Sequence, residues 1–241
     1  MLKCDFHLHS SEDPCDVLDH SARELVDHAA ALHYHVLALT LHRRLYCPQE
    51  LQDYAKSRGI LMIPGVEFYL DRSEILLLGV VQEDLKRLKH FNDLISLRKE
   101  RGNDLLVIAP HPFYSLEQCL GDKMEAHPDA FDAIEFCHFY TSLWNPNRRA
   151  EEVSRRMGKP MLACSDTHQL KWMSHHYALV EAQPTQTEVF AAIRAGRIRN
   201  VSRPLTHFEI AGKTFWHFAM HNPRKWVRKY FMKVPFMKYA G

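Results

Sequence analysis

At 241 residues, with 46% hydrophobic and 25% charged side chains, the chain has the size and composition of one globular domain with a large core. A formal charge of +2 gives no compositional case for nucleic acid or membrane binding, and no apolar run approaches the roughly 18 residues of a membrane span. Six cysteines without a CxxC pair, and no leader-like segment ahead of them, point to a cytoplasmic protein with reduced thiols. Histidine alone departs from average, at 17 residues.

In chain order, Met1-Leu2-Lys3-Cys4 reads as a strand running into Asp5-Phe6-His7-Leu8-His9-Ser10. Strand alternation puts Asp5, His7 and His9 on one face and Phe6 and Leu8 on the other. Two imidazoles two residues apart at a strand end can grip one metal ion, with a nearby carboxylate as further ligand or orienter. After the polar loop 11–16, residues 21–32 carry apolar side chains at helical spacing, with Ser21 and Glu24 as a capping box. The run 36–40 is a strand ending in Leu41-His42-Arg43-Arg44; a helix over 48–58 stops at Gly59; the strand 60–66 closes on Glu67.

The rhythm continues with a strand over 74–81, one long helix over 84–101 and strands over 105–109 and 133–136. A helix over 146–157, strands over 161–164 and 177–180 and a helix over 187–195 follow. Continuous apolar strands alternating with amphipathic helices predict an α/β fold, a parallel sheet covered by helices. From about Pro204 the rhythm fails. Residues 1–205 read as the domain, and 206–241 as a basic, aromatic extension: a closing helix packed on the domain, or a surface for anionic lipid or nucleic acid.

Nearly every predicted strand ends in a metal-type ligand: His7 and His9, then His42, Glu67, His111, and Asp166 with His168. In a parallel barrel all strand carboxyl ends lie on one face, so residues 160 positions apart converge on one pocket. Solvated surface histidine explains such placement poorly, as does a core, where carboxylates are rarely buried without partners.

The runs DFHLHS, TLH, PGVE, APHP and SDTH, in this order, resemble the PHP (polymerase and histidinol phosphatase) superfamily over residues 3–170, with weaker similarity to about 205. The resemblance implies a distorted seven-stranded, TIM-like (β/α) barrel with its metal site at the carboxyl ends of the strands. It also implies two or three divalent ions (manganese, zinc or iron) and hydrolysis of a phosphoester by a metal-bridging hydroxide. The family's ligands fall on His7, His9, His42, Glu67 (bridging), His111, Asp166 and His168. A further loop ligand falls on Asp13 or Asp16, with Asp13 favoured. Leu41 stands where the family has Asp, and Leu76 where many relatives have a ligating His, which takes a donor from one metal; His138 is a compensating ligand or a pocket-lining His.

Glu67, Asp166 and His168 carry the expected catalytic roles, as bridging ligand and proton shuttle. Arg43, Arg44 and Arg148 are candidate phosphate clamps, with Arg149 and Lys171 weaker ones; Tyr140 and Trp144 can stack on a base or sugar. The expected partner is a small phosphorylated substrate: a nucleotide, sugar phosphate or short oligonucleotide. Two other readings stay open. One is an amidohydrolase-type C–N hydrolase, against which Glu67 argues because those enzymes often bridge their metals with lysine. The other is a binding module with a degenerate metal centre, for which Leu41 and Leu76 speak.

Overall fold

A computed structural model describes residues 1–114 and 117–215; the expected basic and aromatic segment from Trp216 to Gly241 lies outside the described residues. The strands are β1 (Leu2–Leu8), β2 (Val36–Leu39), β3 (Leu61–Leu70), β4 (Ser73–Leu78), β5 (Leu106–Ala109), β6 (Ala133–Cys137), β7 (Met161–Cys164), β8 (His176–Val180) and β9 (Ile198–Ser202). The helices are α1 (Ala22–Ala31), α2 (Gln49–Ser57), α3 (Gln82–Arg87), α4 (Phe91–Arg101), α5 (Lys123–Ala126), α6 (Asn147–Met157), α7 (Gln186–Arg194) and α8 (His207–Phe215).

The strands form one mixed sheet in the order β7-β6-β5-β4-β3-β2-β1-β8-β9. Pairings β1–β2, β2–β3, β5–β6 and β6–β7 are parallel. The expectation of a wholly parallel sheet fails at β4, which is antiparallel to both neighbours, and at β8 and β9. The cause at β4 is local. Leu70 pairs with Ser73, leaving the two-residue loop Asp71-Arg72, both with positive φ (46° and 66°), as a primed hairpin turn needs. That turn usually announces itself by Asn-Gly or Asp-Gly, which this chain lacks there.

The sheet curls into a nearly closed barrel. At one end, His9 N–H donates to Thr167 O (3.2 Å) and Thr167 N–H to His7 O (3.3 Å), a parallel bridge from the end of β1 to the segment after β7. At the other end, the Asn200 side chain replaces a strand. Its Oδ1 accepts from Ala163 N–H (2.8 Å) and its Nδ2 donates to Met161 O (2.9 Å), tying β9 to β7. One core cluster draws on every strand from β1 to β7 (Phe6, Ala38, Ile63, Leu76, Leu78, Ile108 and Leu162 among them) and packs against Val189, Phe190 and Ile193 of α7. Two further clusters bind the outer helices to the sheet.

The long helix expected over 84–101 is two helices. Asp93 accepts from Lys89 N–H (3.0 Å) and His90 N–H (2.9 Å), capping α4, while Asp84 accepts from Val81 N–H (3.0 Å), capping α3. None of the helices of the described residues is long and apolar enough to cross a membrane. All six cysteines are free thiols.

Gly79, at the end of β4, has φ +80° and donates to Pro64 O (2.7 Å), and a Cβ there would lie 2.1 Å from Asp104 O. Gly59 has a similar φ of +77° with nothing within 4 Å of its virtual Cβ. Gly59→Ala therefore costs only the left-handed backbone penalty, about 1–2 kcal/mol, and Gly79→Ala costs more because backbone must move as well. Urea unfolding of the two variants checks this, and equal midpoints would show that the Asp104 loop yields freely.

Candidate metal centre

The C-terminal end of the barrel gathers the chemistry. β1 ends at His7 and His9, the segment after β2 supplies His42, and β3 supplies Glu67; a parallel bridge joins His42 to Glu67. His111 follows β5, and Asp166 and His168 follow β7. His111 (φ 27°), Asp166 (φ 45°) and the neighbour of His42, Arg43 (φ 57°), have left-handed conformations unusual for residues with a Cβ.

His7 and His9 are fully buried, and neither Nε2 atom has a hydrogen-bond partner. His7 Nε2 lies 3.4 Å from Glu67 Oε1 and 3.5 Å from Asp166 Oδ1; His9 Nε2 lies 3.6 Å from Glu67 Oε2 and 3.3 Å from the same Asp166 oxygen. A cation with bonds of about 2.0–2.2 Å in tetrahedral geometry holds its ligand atoms about 3.3–3.6 Å apart. The four separations have that length, and two orphaned buried nitrogens explain themselves as ligand atoms. The residues fit a divalent cation.

Glu67 extends the arrangement on both sides, with Oε1 3.4 Å from His111 Nε2 and Oε2 3.2 Å from His42 Nε2. Ligand atoms of His9, His42 and His168 form another group within 4.8 Å of one another, as do those of His7, Glu67 and His111. One carboxylate thus faces several donor groups, the disposition needed for a bridging ligand.

Behind the rings stand orienting groups. Glu135, on β6, meets His7 Nδ1 at 3.0 Å, and the Cys119 thiol lies 3.5 Å from His111 Nδ1. Asp13, expected as the loop ligand, has both oxygens engaged. Its Oδ2 meets His9 Nδ1 (3.0 Å), His42 Nδ1 (2.9 Å) and His42 N–H (2.9 Å), and its Oδ1 accepts from Cys15 and Asp16 N–H. That carboxylate orients two imidazoles, and its ligand atom also lies in one donor group with those of Asp16 and His42. Asp16 reaches His168 Nε2 at 3.1 Å and His42 Nδ1 at 3.5 Å.

Charges within the cluster dominate its protonation. Burial would lower the pKa of His7, but Asp166, Glu67 and Glu135 hold it well above the imidazole range. Burial is likewise overridden at His111, by Cys119 and Glu67, and at His168, by Asp166 and Asp16. Glu67 and Asp166 move the other way: despite burial, the surrounding imidazoles hold both carboxyls well below their usual values. Glu74 is pushed up to about 7, by burial and by Glu67.

Three expected residues stand apart from the donor groups among the described residues. Asp5 shares no donor group with His7 and His9, because the register of β1 shifts between Asp5 and Leu8; its Oδ1 accepts instead from Ser165 N–H (3.1 Å). His138 joins none of the donor groups among the described residues, its ring lying against Phe139 and His176. Arg44 is turned back to the chain, donating to Glu12 O (2.8 Å). Arg43 is exposed and stacks 4.4 Å over the Tyr69 ring; Arg148 is exposed at the start of α6, and its neighbour Arg149 pairs with Asp122. Tyr140 is buried, its hydroxyl 2.9 Å from Ser202 Oγ, whereas Trp144 is half exposed and edge-on to Tyr114. Lys171 is exposed beside Trp172.

Sequence reasoning missed Glu74, Glu135 and Lys213. Glu135 sits mid-strand, two residues before the strand end, where no ligand motif points. Lys213, on α8, lays its ammonium 4.5 Å over the Trp172 ring; burial lowers it to about 8, against the attraction of Asp166.

The family model described as PHP-associated matches residues 144–198. An error-prone DNA polymerase of Methylococcus capsulatus is 30% identical over 190 residues, 73% of this chain but only 17% of the polymerase, so the chain spans about a sixth of that relative. A two-domain protein from Bacteroides vulgatus, described as containing a predicted PHP-like metal-dependent phosphoesterase, superposes with TM-score 0.66 at 18% identity over 89% of this chain and 69% of its own. The lesion-specific endonuclease Q of Pyrococcus furiosus gives TM-score 0.60 at 16% identity over 83% and 57%. At these identities the structural likenesses speak for the fold, and together with the ordered motifs and the sequence matches they support membership of the PHP superfamily.

Proposed function

We propose that the protein is a metal-dependent phosphoesterase acting on a small phosphorylated substrate, a nucleotide, sugar phosphate or short oligonucleotide. The observation that carries this reading is the pair of fully buried, orphaned imidazole nitrogens of His7 and His9, each 3.3–3.6 Å from oxygens of Glu67 and Asp166, on the open end of the barrel. Relatives described as a metal-dependent phosphoesterase and as an endonuclease support phosphoester chemistry.

In this reading His7, His9 and Asp166 would hold one cation, and Glu67 with His111 would extend the site to a second. Divalent cations, when bound, supply Lewis acidity toward a phosphoryl oxygen and acidify a water at neutral pH. Glu135 and Asp13 fix the His7 and His9 rings so that Nε2 faces the site. His168, at the rim with its pKa raised by Asp166 and Asp16, holds the proton that the leaving alkoxide needs. Arg43 and Lys213, each stacked on an aromatic ring and without a carboxylate partner among the described residues, are candidates to meet phosphate oxygens, and Arg148 is another.

Protein reconstituted with manganese or zinc is expected to release phosphate or cleave a diester in a substrate panel. Asp166→Asn should abolish turnover, and Glu135→Gln should lower metal affinity or activity by about 10–100-fold. Metal-loaded wild-type protein that hydrolyses no phosphoester would sink the proposal and favour C–N hydrolysis.

Protonation gives a second check. In the metal-free centre, His7, His42, His111 and His168 have raised pKa values, so their stabilising contribution is complete below about 6.5 and is lost as pH rises through the raised values. Glu67 and Asp166, with depressed values, contribute above about 4 and lose that contribution only in stronger acid. The melting temperature of metal-free protein is therefore expected to fall as the pH is raised above about 6.5. Metal loading at pH 7 should release protons, measurable with an indicator dye in weak buffer.

A further inference from the structure

Leu76 is fully buried in the barrel core and can donate nothing to a cation. It pairs with Glu67 across the β3–β4 hairpin. Residues 74, 76 and 78 share one face of β4, and because Leu76 and Leu78 both belong to the inner core cluster, Glu74 stands on the inner face one step beyond them. β4 runs against its parallel neighbours, so its beginning lies level with their carboxyl ends. The antiparallel hairpin therefore brings Glu74 to the same end of the barrel as His42, Glu67 and His111.

The side chain has the place of a ligand. Glu74 Oε2 lies 3.8 Å from His111 Nε2, and ligand atoms of His42, Glu67 and Glu74 lie within 4.8 Å of one another. Glu74 is only 14% exposed, and no Lys or Arg pairs with it among the described residues. Two carboxylates so placed, with only imidazoles around them, repel each other until a cation stands between them. The group is not merely acidic, since fully buried His7 turns an unpartnered Nε2 toward the same Glu67 carboxylate.

We infer that Glu74 is a ligand of a third cation position, bounded by Glu67 and His42, and takes over from β4 the role that Leu76 cannot fill. The inference rests on reading the cluster as a metal centre, and it does not depend on which bond the enzyme breaks. With two carboxylates beside its imidazole, this position suits harder cations such as manganese or iron(II) better than thiolate-seeking ones.

The test is the number of equivalents bound, measured by elemental analysis after loading with manganese and removal of free metal. Wild-type protein is compared with Glu74→Gln and with Glu74→Gln combined with Leu76→His. Glu74→Gln is expected to lose one equivalent, or to bind its last equivalent at least 10-fold more weakly, and the added imidazole is expected to restore it. Metal-free Glu74→Gln should melt no lower than metal-free wild type, since it removes a carboxylate from beside Glu67; this shows the variant folded. An unchanged stoichiometry and affinity in Glu74→Gln overturns the inference, as does loss of every equivalent from a folded variant. A wild-type protein that binds no metal overturns the underlying reading instead, and the two failures are distinct.

Discussion

The parallel bridge between Leu8 and Thr167 is the contact on which both fold and site depend. It closes the barrel where the sheet would otherwise end in an open edge, next to two strands that turn antiparallel. The same two hydrogen bonds hold His7 and His9 against Asp166 and His168, residues at opposite ends of the barrel sequence. Ser165 N–H adds a third tie, donating to the buried carboxylate of Asp5, and the Ser165 and Thr167 hydroxyls meet at 2.5 Å. The site is therefore not an ornament on a finished barrel. Its first and last donors sit on the seam that finishes it.

That arrangement concentrates charge where burial is greatest. His7, His9, Asp5 and Glu135 are fully exposed to the core and fully hidden from water, and each keeps at least one polar atom without a partner. An unsatisfied buried polar group costs about 1–3 kcal/mol, so any cation held by the Nε2 atoms of His7 and His9 stabilises the fold as well. Imidazoles and carboxylates answer this partly by exchanging protons, as the opposed shifts of His7 and Glu67 record. A divalent cation answers it more fully, because it satisfies the Nε2 atoms and the carboxylates together. The apolar core beneath, from Phe6 to Leu162, keeps water from doing the same work from below.

How much of this was legible depended on whether a signal was local. The motif residues His7, His9, His42, Glu67, His111, Asp166 and His168 each follow an apolar run, so the residues at the strand ends could be read one strand at a time, and they do converge. Strand direction was not legible in the same way. Nothing in Leu70-Asp71-Arg72-Ser73 advertises a two-residue turn, and the antiparallel placement of β4 follows from its pairing to β5 as much as from that turn. Missing the reversal hid Glu74, because a carboxylate at the beginning of a parallel strand would lie at the wrong end of the barrel. Asp5 erred in the other direction. Alternation is a sound rule only while register holds, and β1 shifts register within the motif itself.

Specificity is a different matter from the centre, and the rim shows why. The donors sit on strand ends braced by core packing, whereas the groups around them come from loops and from α8: Arg43 on Tyr69, Lys213 on Trp172, and half-exposed Trp144 against Tyr114 and Phe139. One barrel with one metal chemistry can serve many phosphorylated compounds by changing such groups alone. α8 is held to this rim by Arg203, whose guanidinium pairs with Glu209, and by Leu205 N–H on Tyr140 O (2.8 Å). Lys213 thus reaches the mouth from a helix beyond the last strand, and the chain after the barrel contributes to the site that the barrel builds.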